Sequence, residues 1–373
     1  MSDKVRIGIA GTSWWADAMY LPAIATHPLA DIRGIAGGTR PAHTRAFAEK
    51  WGIPHAYDSV TALLDAEPLD ALLVLTPNKA HYATTMAALE RGLAVLCEKP
   101  LGMTSREARE MTEAAATAGV TTMTPFTYRF MPANRYLKEL VDQGWIGRPY
   151  HLNMRYYTGY GRSGEYAWRF DVGEAGSGIA GDIGSHWVYL ARWYFGEIRA
   201  VTAVYTHLVP RGPRPDGAPY EVAEDTAILV LEFENGATGS LHMTSLAHEP
   251  GTFGQRHEID LHGSGGTLRA MSDWRTIQRV EGARADDTEP RELPIPEHIW
   301  AGARHDTVHN TYRDVFRTQE SMTRAFVTAV AERRMTSPDF ADGLAVQQVL
   351  AAADRSAQAG RRVEIEEIRA DGG

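Results

Sequence analysis

The sequence predicts two domains: an α/β domain with a parallel sheet over residues 1–125, then an α+β domain with a large, mostly antiparallel open sheet over 126–373. Three observations predict this. Strand-like and helix-like stretches alternate through the first part, a glycine-bearing turn closes the first strand, and beyond Pro125 pairs of strands are joined by glycine turns. Helical segments of roughly 10–15 residues between strands imply right-handed crossovers and parallel pairing.

The elements follow in order. "VRIGIA" is a buried strand, and Trp15 to Thr26 reads as the helix after it. "DIRGIAG" is the second strand. "PAHTRAFAEKWG" is a helix with Pro41 in its first turn and Gly52 at its end, the usual asymmetry of helix termini. "LDALLVLT" is a third strand, "HYATTMAALERG" a helix, "LAVLCEK" a fourth strand, "SREAREMTEAAATAG" a helix and "VTTMTPF" a fifth strand.

The pattern then changes. "YLKELVDQGWIG" reads as a helix and "PYHLNMRYYTGY" as an alternating strand, and "DVGEAGSGIAGDIGSH" is a Gly-rich lead into "WVYLARWYFG". "LEFENGATGSL" holds two strands around an Asn-Gly turn, a strong hairpin signal. "IDLHGSGGTLRA" repeats that theme, "LVPRGPRPDGAPYE" is a Pro/Gly loop, and amphipathic helices close the chain.

Composition narrows the class. In 373 residues, 44% hydrophobic and 23% charged fits a globular enzyme with two cores, and 38 basic against 47 acidic residues gives a net charge of −9. Without a dense Lys/Arg stripe, nucleic acid is not an expected partner. The single cysteine, Cys97, leaves no disulfide framework, and no apolar run reaches the length of a membrane span. A cytoplasmic location is therefore expected. Histidines are scattered and no H-E-x-x-H or cysteine cluster occurs, so no metal is expected.

"GIAGTSWWA" raises the question of a dinucleotide turn. Gly11 can make the tight turn and Ala16 the close helix–strand packing. Ser13 replaces the second glycine, and its hydroxyl can itself meet a phosphate. After the second strand NAD-users carry an acid for the ribose, yet "GIAGGTRPAH" has none, offering Thr39 and Arg40 instead. A guanidinium there suits a 2′-phosphate, which tilts the cofactor from NAD towards NADP.

Three later motifs resemble the Gfo/Idh/MocA oxidoreductases, a family typified by glucose–fructose oxidoreductase and inositol 2-dehydrogenase. "TPNKAH" (Thr76–His81) is similar to its loop after the third strand. "CEKP" (Cys97–Pro100) resembles its Glu-Lys-Pro signature, and "GSGIAGDIGSHWVYLARWYFG" resembles its helix bearing Asp-x-x-x-His, here Asp182 and His186. Two positions depart from the pattern: Ser13, and Tyr189, where many sugar-alcohol members carry a second acid.

The resemblance implies a Rossmann domain holding NAD or NADP through Gly11, Thr12, Ser13, Trp14, Trp15, Thr39, Arg40, Thr76, Pro77, Asn78, His81, Glu98 and Lys99, with Trp168, Arg169 and Tyr312 reaching the cofactor from the second domain. It further implies a sugar or sugar derivative bound by Lys99, Tyr128, Arg129, Tyr157, Arg169, Asp182 and His186, and a homodimer or homotetramer formed through the outer face of the second sheet. Lys99, Asp182 and His186 are the expected catalytic trio. Pro100 biases Lys99 to extended backbone, and a lysine desolvated beside a cationic pyridine would have a lowered pKa. Asp182 and His186, four apart, share one face of a helix, where the acid can fix the imidazole tautomer. Arg155, Arg162, Tyr156, Tyr157 and Tyr160 crowd "MRYYTGYGRSGEYAWRF", a mixture of aromatic faces and donors that suits a polyhydroxylated ring.

Three functions compete. The first is hydride transfer between a nicotinamide and a hydroxyl-bearing sugar carbon. The second is an oxidoreductive glycosidase that oxidises transiently, eliminates, hydrates and re-reduces. The third is a non-catalytic dinucleotide-binding regulator.

Overall fold

The computed structural model describes residues 4–38, 40–249, 254–273 and 278–371. The chain divides into two compact units, Met1–Pro125 with Arg313–Gln347, and Phe126–Tyr312 with Gln348–Gly373.

In the first unit, β-branched and leucine-rich runs form β1 (Val5–Ala10), β2 (Ala30–Ala36), β3 (His55–Tyr57), β4 (Ala71–Val74), β5 (Ala94–Cys97) and β6 (Thr122–Met123). They pair in parallel in the order β3-β2-β1-β4-β5-β6. The connecting helices are α1 (Leu21–Ala25), α2 (Pro41–Trp51), α3 (Val60–Ala66), α4 (His81–Leu89) and α5 (Ser105–Ala118). Their ends obey local chemistry. Thr104 accepts the Glu107 N–H at the start of α5, and Gly119 ends it in the left-handed region at φ 63°. Ala10, Leu63, Leu72, Val74, Val95, Met111 and Phe340 form a buried cluster on one side of the sheet.

Three details differ from the sequence reading. Strand β3 and helix α3 were not expected, because three residues at a sheet edge and a seven-residue helix carry little periodicity. The helix expected over Trp15–Thr26 contains a π-helical turn, Ala16–Tyr20, before α1. Arg317 donates to the Ala18 carbonyl within that turn.

In the second unit, α6 (Pro132–Asp142), α7 (Val172–Ala175) and α8 (Ser185–Phe195) accompany nine strands among the described residues. These are β7 (Pro149–Thr158), β8 (Ile198–Thr206), β9 (Thr226–Phe233), β10 (Thr238–Thr244), β11 (Gln255–Gly263), β12 (Gly266–Ser272), β13 (Arg279–Arg284), β14 (Arg291–Glu292) and β15 (Val363–Glu364). Their order is β14-β13-β12-β11-β7-β10-β9-β8-β15. The expected hairpins β9–β10 and β11–β12 are present, and every pairing is antiparallel except β7–β10, which is parallel. Period-two alternation buries Leu152, Met154, Leu229, Leu241 and Leu261, while Val204 and Val230 stay 58% and 49% exposed. No helix of the described residues is long and apolar enough to cross a membrane.

Candidate active site

The first unit has the strand order of a doubly wound sheet, with its reversal between β1 and β4. Ligands of such sheets bind at the carboxyl ends of the strands flanking that reversal. Gly11 follows β1 at that edge with φ +115°, and its N–H donates to Ala36 O at 2.8 Å. A Cβ there would lie 2.4 Å from the Leu75 carbonyl oxygen, so the turn requires glycine. Ala16 is fully buried, which meets the packing demand of the third motif position. Ser13 Oγ accepts the Ala16 N–H at 3.1 Å and so caps the start of the helical segment. Among the described residues the backbone N–H groups of Thr12 and Ser13 have no acceptor, and these donors fit a diphosphate.

The rest of this edge is tied together by side chains. Trp15 Nε1 donates to Glu98 Oε1 at 2.9 Å, the Tyr20 hydroxyl donates to the same oxygen, and Glu98 Oε2 accepts the Lys99 N–H at 3.0 Å. Trp14 is 69% exposed beside Trp15. Thr76 and Pro77 lead from β4 into a 3-10 turn, Asn78–Ala80. The buried His81 ring meets Thr76 O through Nε2 at 3.1 Å and Pro100 O through Nδ1 at 2.9 Å, joining the loops after β4 and β5. Burial pushes the His81 imidazole below its ordinary range, against the pull of the two carbonyls. Arg40 is exposed at the N-cap of α2, whereas Thr39 lies outside the described residues.

In the second unit, Asp182 lies in a π-helical turn, Ala180–Gly184, that runs into α8, where His186 is the second residue. The two residues therefore do not share one continuous α-helix, since a π-helical turn precedes α8. Glu224 fixes this start: its carbonyl accepts the Ile179 N–H at 3.1 Å, and its buried carboxylate accepts the Ala180 N–H at 2.8 Å. A Cβ at Gly178 would sit 2.0 Å from that carbonyl oxygen, which accounts for a glycine in "GSGIAGDIG". Burial pushes the Glu224 carboxyl above the usual range, opposed by the backbone donors of Gly178 and Ala180.

Asp182 Oδ2 accepts the Tyr160 hydroxyl at 3.0 Å and lies 3.4 Å from Arg169 Nε. The Arg169 guanidinium also rests 4.6 Å over the Trp168 ring. His186 is buried, with Tyr128 edge-on at 4.9 Å and Phe126 at 6.1 Å. The Tyr128 hydroxyl meets that of Tyr156 at 3.1 Å, which in turn donates to Gln255 Oε1 at 2.6 Å. Desolvation holds both phenols well above their ordinary range. Tyr189 stacks on Phe126 at 4.5 Å and accepts a hydrogen bond from Arg129. Tyr312 donates to Thr127 Oγ1 at 3.0 Å.

Tyr157, expected as a substrate ligand, is not joined to the Tyr128–Tyr156 cluster of this unit. Strand alternation turns it to the opposite sheet face, where its hydroxyl meets His242 Nδ1 at 2.9 Å, while the adjacent Tyr156 faces Trp187 and Tyr128. Of the residues crowded into that stretch, Tyr156 and Tyr160 are the two joined to this cluster. The sequence showed both but gave no means of ranking them.

Comparisons with known proteins bear on the family and the fold. Residues 5–126 match the model described as "Oxidoreductase family, NAD-binding Rossmann fold", and residues 134–269 match the "GFO/IDH/MocA C-terminal domain". The levoglucosan dehydrogenase of Pseudarthrobacter phenanthrenivorans is 27% identical, over 98% of this chain and 100% of that protein. The D-glucoside 3-dehydrogenase of Escherichia coli is 29% identical over 98% of both. D-xylose 1-dehydrogenase (NADP(+)) 2 of Haloferax volcanii is 32% identical over 63% of this chain and 67% of that protein. Among solved structures, a levoglucosan dehydrogenase in complex with NADH and levoglucosan has a TM-score of 0.84 at 26% identity, covering 97% of this chain and 100% of that one. With a Rossmann unit, a second unit built on an open sheet and family matches along both, the chain belongs to the Gfo/Idh/MocA family of oxidoreductases.

Proposed function

We propose that this protein is a dehydrogenase of a pyranose derivative whose anomeric centre is blocked, an anhydro sugar or a glycoside, and that it transfers hydride between a ring carbinol carbon and a nicotinamide dinucleotide. The observation that carries the proposal is the position of Lys99, two residues beyond β5 at the carboxyl edge of a Rossmann sheet, with its backbone held by Glu98. The substrate class is supported by the names of two of the relatives, which act on levoglucosan and on D-glucosides. Neither compound has a free anomeric hydroxyl.

The turn Gly11–Trp15, with Thr76, Pro77, Asn78 and Glu98, would hold the dinucleotide, and Trp168, Arg169 and Tyr312 would approach it from the second unit. When bound, it supplies the hydride acceptor. The chain supplies proton handling. His186 takes the hydroxyl proton, Asp182 orients the imidazole, and Lys99 donates a hydrogen bond to the reacting oxygen. Tyr128 and Arg129 contact the sugar. Arg40, with no acid following β2 before Glu49, favours NADP over NAD.

The exposed β-branched face around Val204 and Val230 is the surface through which copies would associate into a homodimer or homotetramer, and a single buried cysteine suits a reducing cytoplasm.

The test is absorbance of reduced nicotinamide with each dinucleotide and a panel of anhydro sugars, glycosides and free sugars. Turnover of the blocked sugars that is abolished in Lys99→Ala and His186→Ala supports the reading. Absence of any sugar oxidation overturns it, and cleavage of aryl glycosides without net reduction would mark a glycosidase.

A further inference from the structure

Asp182 is gripped from outside its own helix. Tyr160 and Arg169, which both reach Asp182 Oδ2, belong to the 159–170 segment between β7 and α7. Exposed loop residues seldom hold a carboxylate in one place, because ordering a side chain costs conformational entropy. Here the loop is itself fixed. The Gly161 N–H donates to Ser245 O at 3.0 Å, and a Cβ at Gly161 would meet Ser245 Oγ at 2.1 Å. The loop is thus seated on the residue that follows β10.

The Pro/Gly stretch 208–221 lies over it as a strap. Arg211 Nη1 donates to Gly161 O at 2.6 Å, and its guanidinium covers the Phe170 ring at 3.8 Å. The Gly212 N–H donates to Gly164 O at 2.8 Å. The ring of Tyr160 packs on Phe170 at 5.6 Å, so one aromatic face links the strap to the tyrosine. Arg214 adds an ion pair to Asp171 at 2.9 Å, at the end of the same segment.

We propose that Tyr160, set in place by Phe170 and the Arg211 strap, is a positioning residue that fixes the orientation and the charge of the Asp182 carboxylate. The proposal rests on the dehydrogenase reading above. Its chemistry is direct: a phenol O–H and a guanidinium on one carboxylate oxygen both favour the ionised form. Desolvation and the Asp182 charge raise the Tyr160 phenol well above its ordinary range, so it keeps its proton and remains a donor. Among the described residues of this unit, the charged and titratable groups near the pair include Arg169, Arg211, Tyr128, Tyr156, Glu224 and, in the helix that follows, His186.

The test compares wild type, Tyr160→Phe and Arg211→Met in sugar oxidation across pH, with Asp182→Asn as reference. Tyr160→Phe removes the donor, so the carboxylate protonates more readily. The acid limb of the kcat/KM profile should then move to higher pH, with kcat lower by about tenfold. Arg211→Met should move it the same way by less. A Tyr160→Phe profile superimposable on wild type, with only thermal stability changed, would overturn the proposal. A cycle of Tyr160→Phe and Asp182→Asn in urea separates this from failure of the functional reading. If wild type oxidises no sugar, non-additive unfolding midpoints still support the Tyr160–Asp182 linkage, and additive ones refute it.

Discussion

Trp15 Nε1 donates to Glu98 Oε1 at 2.9 Å, which ties the helical segment after the nucleotide turn to the segment that carries Lys99. Because the Tyr20 hydroxyl shares that oxygen, Glu98→Ala would leave two inward-facing donors without their acceptor. Loss of a buried acceptor of this kind costs roughly 2–4 kcal/mol. Urea denaturation should show it, and calorimetric affinity for NAD(P) should fall with it. Unchanged stability would remove the bracing role.

Trp14 projects into solvent beside the turn, 69% exposed. Binding of NADP or NAD should quench and shift its emission, and Trp14→Ala should reduce the signal while weakening binding about three- to tenfold, the loss of roughly 1 kcal/mol of contact. A titration in which wild type and Trp14→Ala show the same fluorescence change would exclude contact.

The first unit was readable because helical and strand periods are written into long runs. Its β3 and α3 are not legible in the sequence because a short edge element has too few residues to establish a period. The site divided in the same manner. Gly11, Lys99, Asp182 and His186 stand in motifs with fixed spacing. The grip on Asp182 depends on a loop whose path is set by Ser245 and Arg211, residues remote in sequence. Tyr156 and Tyr157 look alike in composition, and only strand phase assigns them to opposite faces.

Gly178→Ala should be costly, since the added carbon would fall 2.0 Å from the Glu224 carbonyl at the start of the turn bearing Asp182. A backbone clash of this kind should lower stability by about 2–4 kcal/mol, with the loss of activity exceeding the loss of folded protein. Circular dichroism melts beside active-site titration would check it.

His257, stacked on Tyr156 at 4.2 Å, is driven by burial from the ordinary 6.5 down to about 3. The unfolded chain therefore takes up a proton that the folded one refuses. Stability from this group is intact above pH 6.5 and is lost as pH falls through the window towards 3. The slope is at most about 1.4 kcal/mol per pH unit. Urea unfolding at pH 7.5 and pH 5, wild type against His257→Gln, should show a smaller acid loss in the variant.

Val230 is 49% exposed on the outer sheet face, and its cross-strand neighbourhood includes Val204. If copies associate there, Val230→Glu should shift sedimentation towards the monomer without altering the melting of secondary structure. An unchanged sedimentation coefficient would place association elsewhere.

The parallel pairing of β7 with β10 has a bearing on how the chain is made. Asn153 on β7 finds its side-chain neighbour Ser240 on β10 only 87 positions later, and β11, on the other flank of β7, follows later still. During synthesis the middle strand of the second sheet thus waits, both edges bare, through several seconds of ribosome travel. The apolar face of β7, with Leu152, Met154 and Tyr156, is the surface most in need of chaperone cover, and starving a producing cell of such cover should trap this unit before the Rossmann unit.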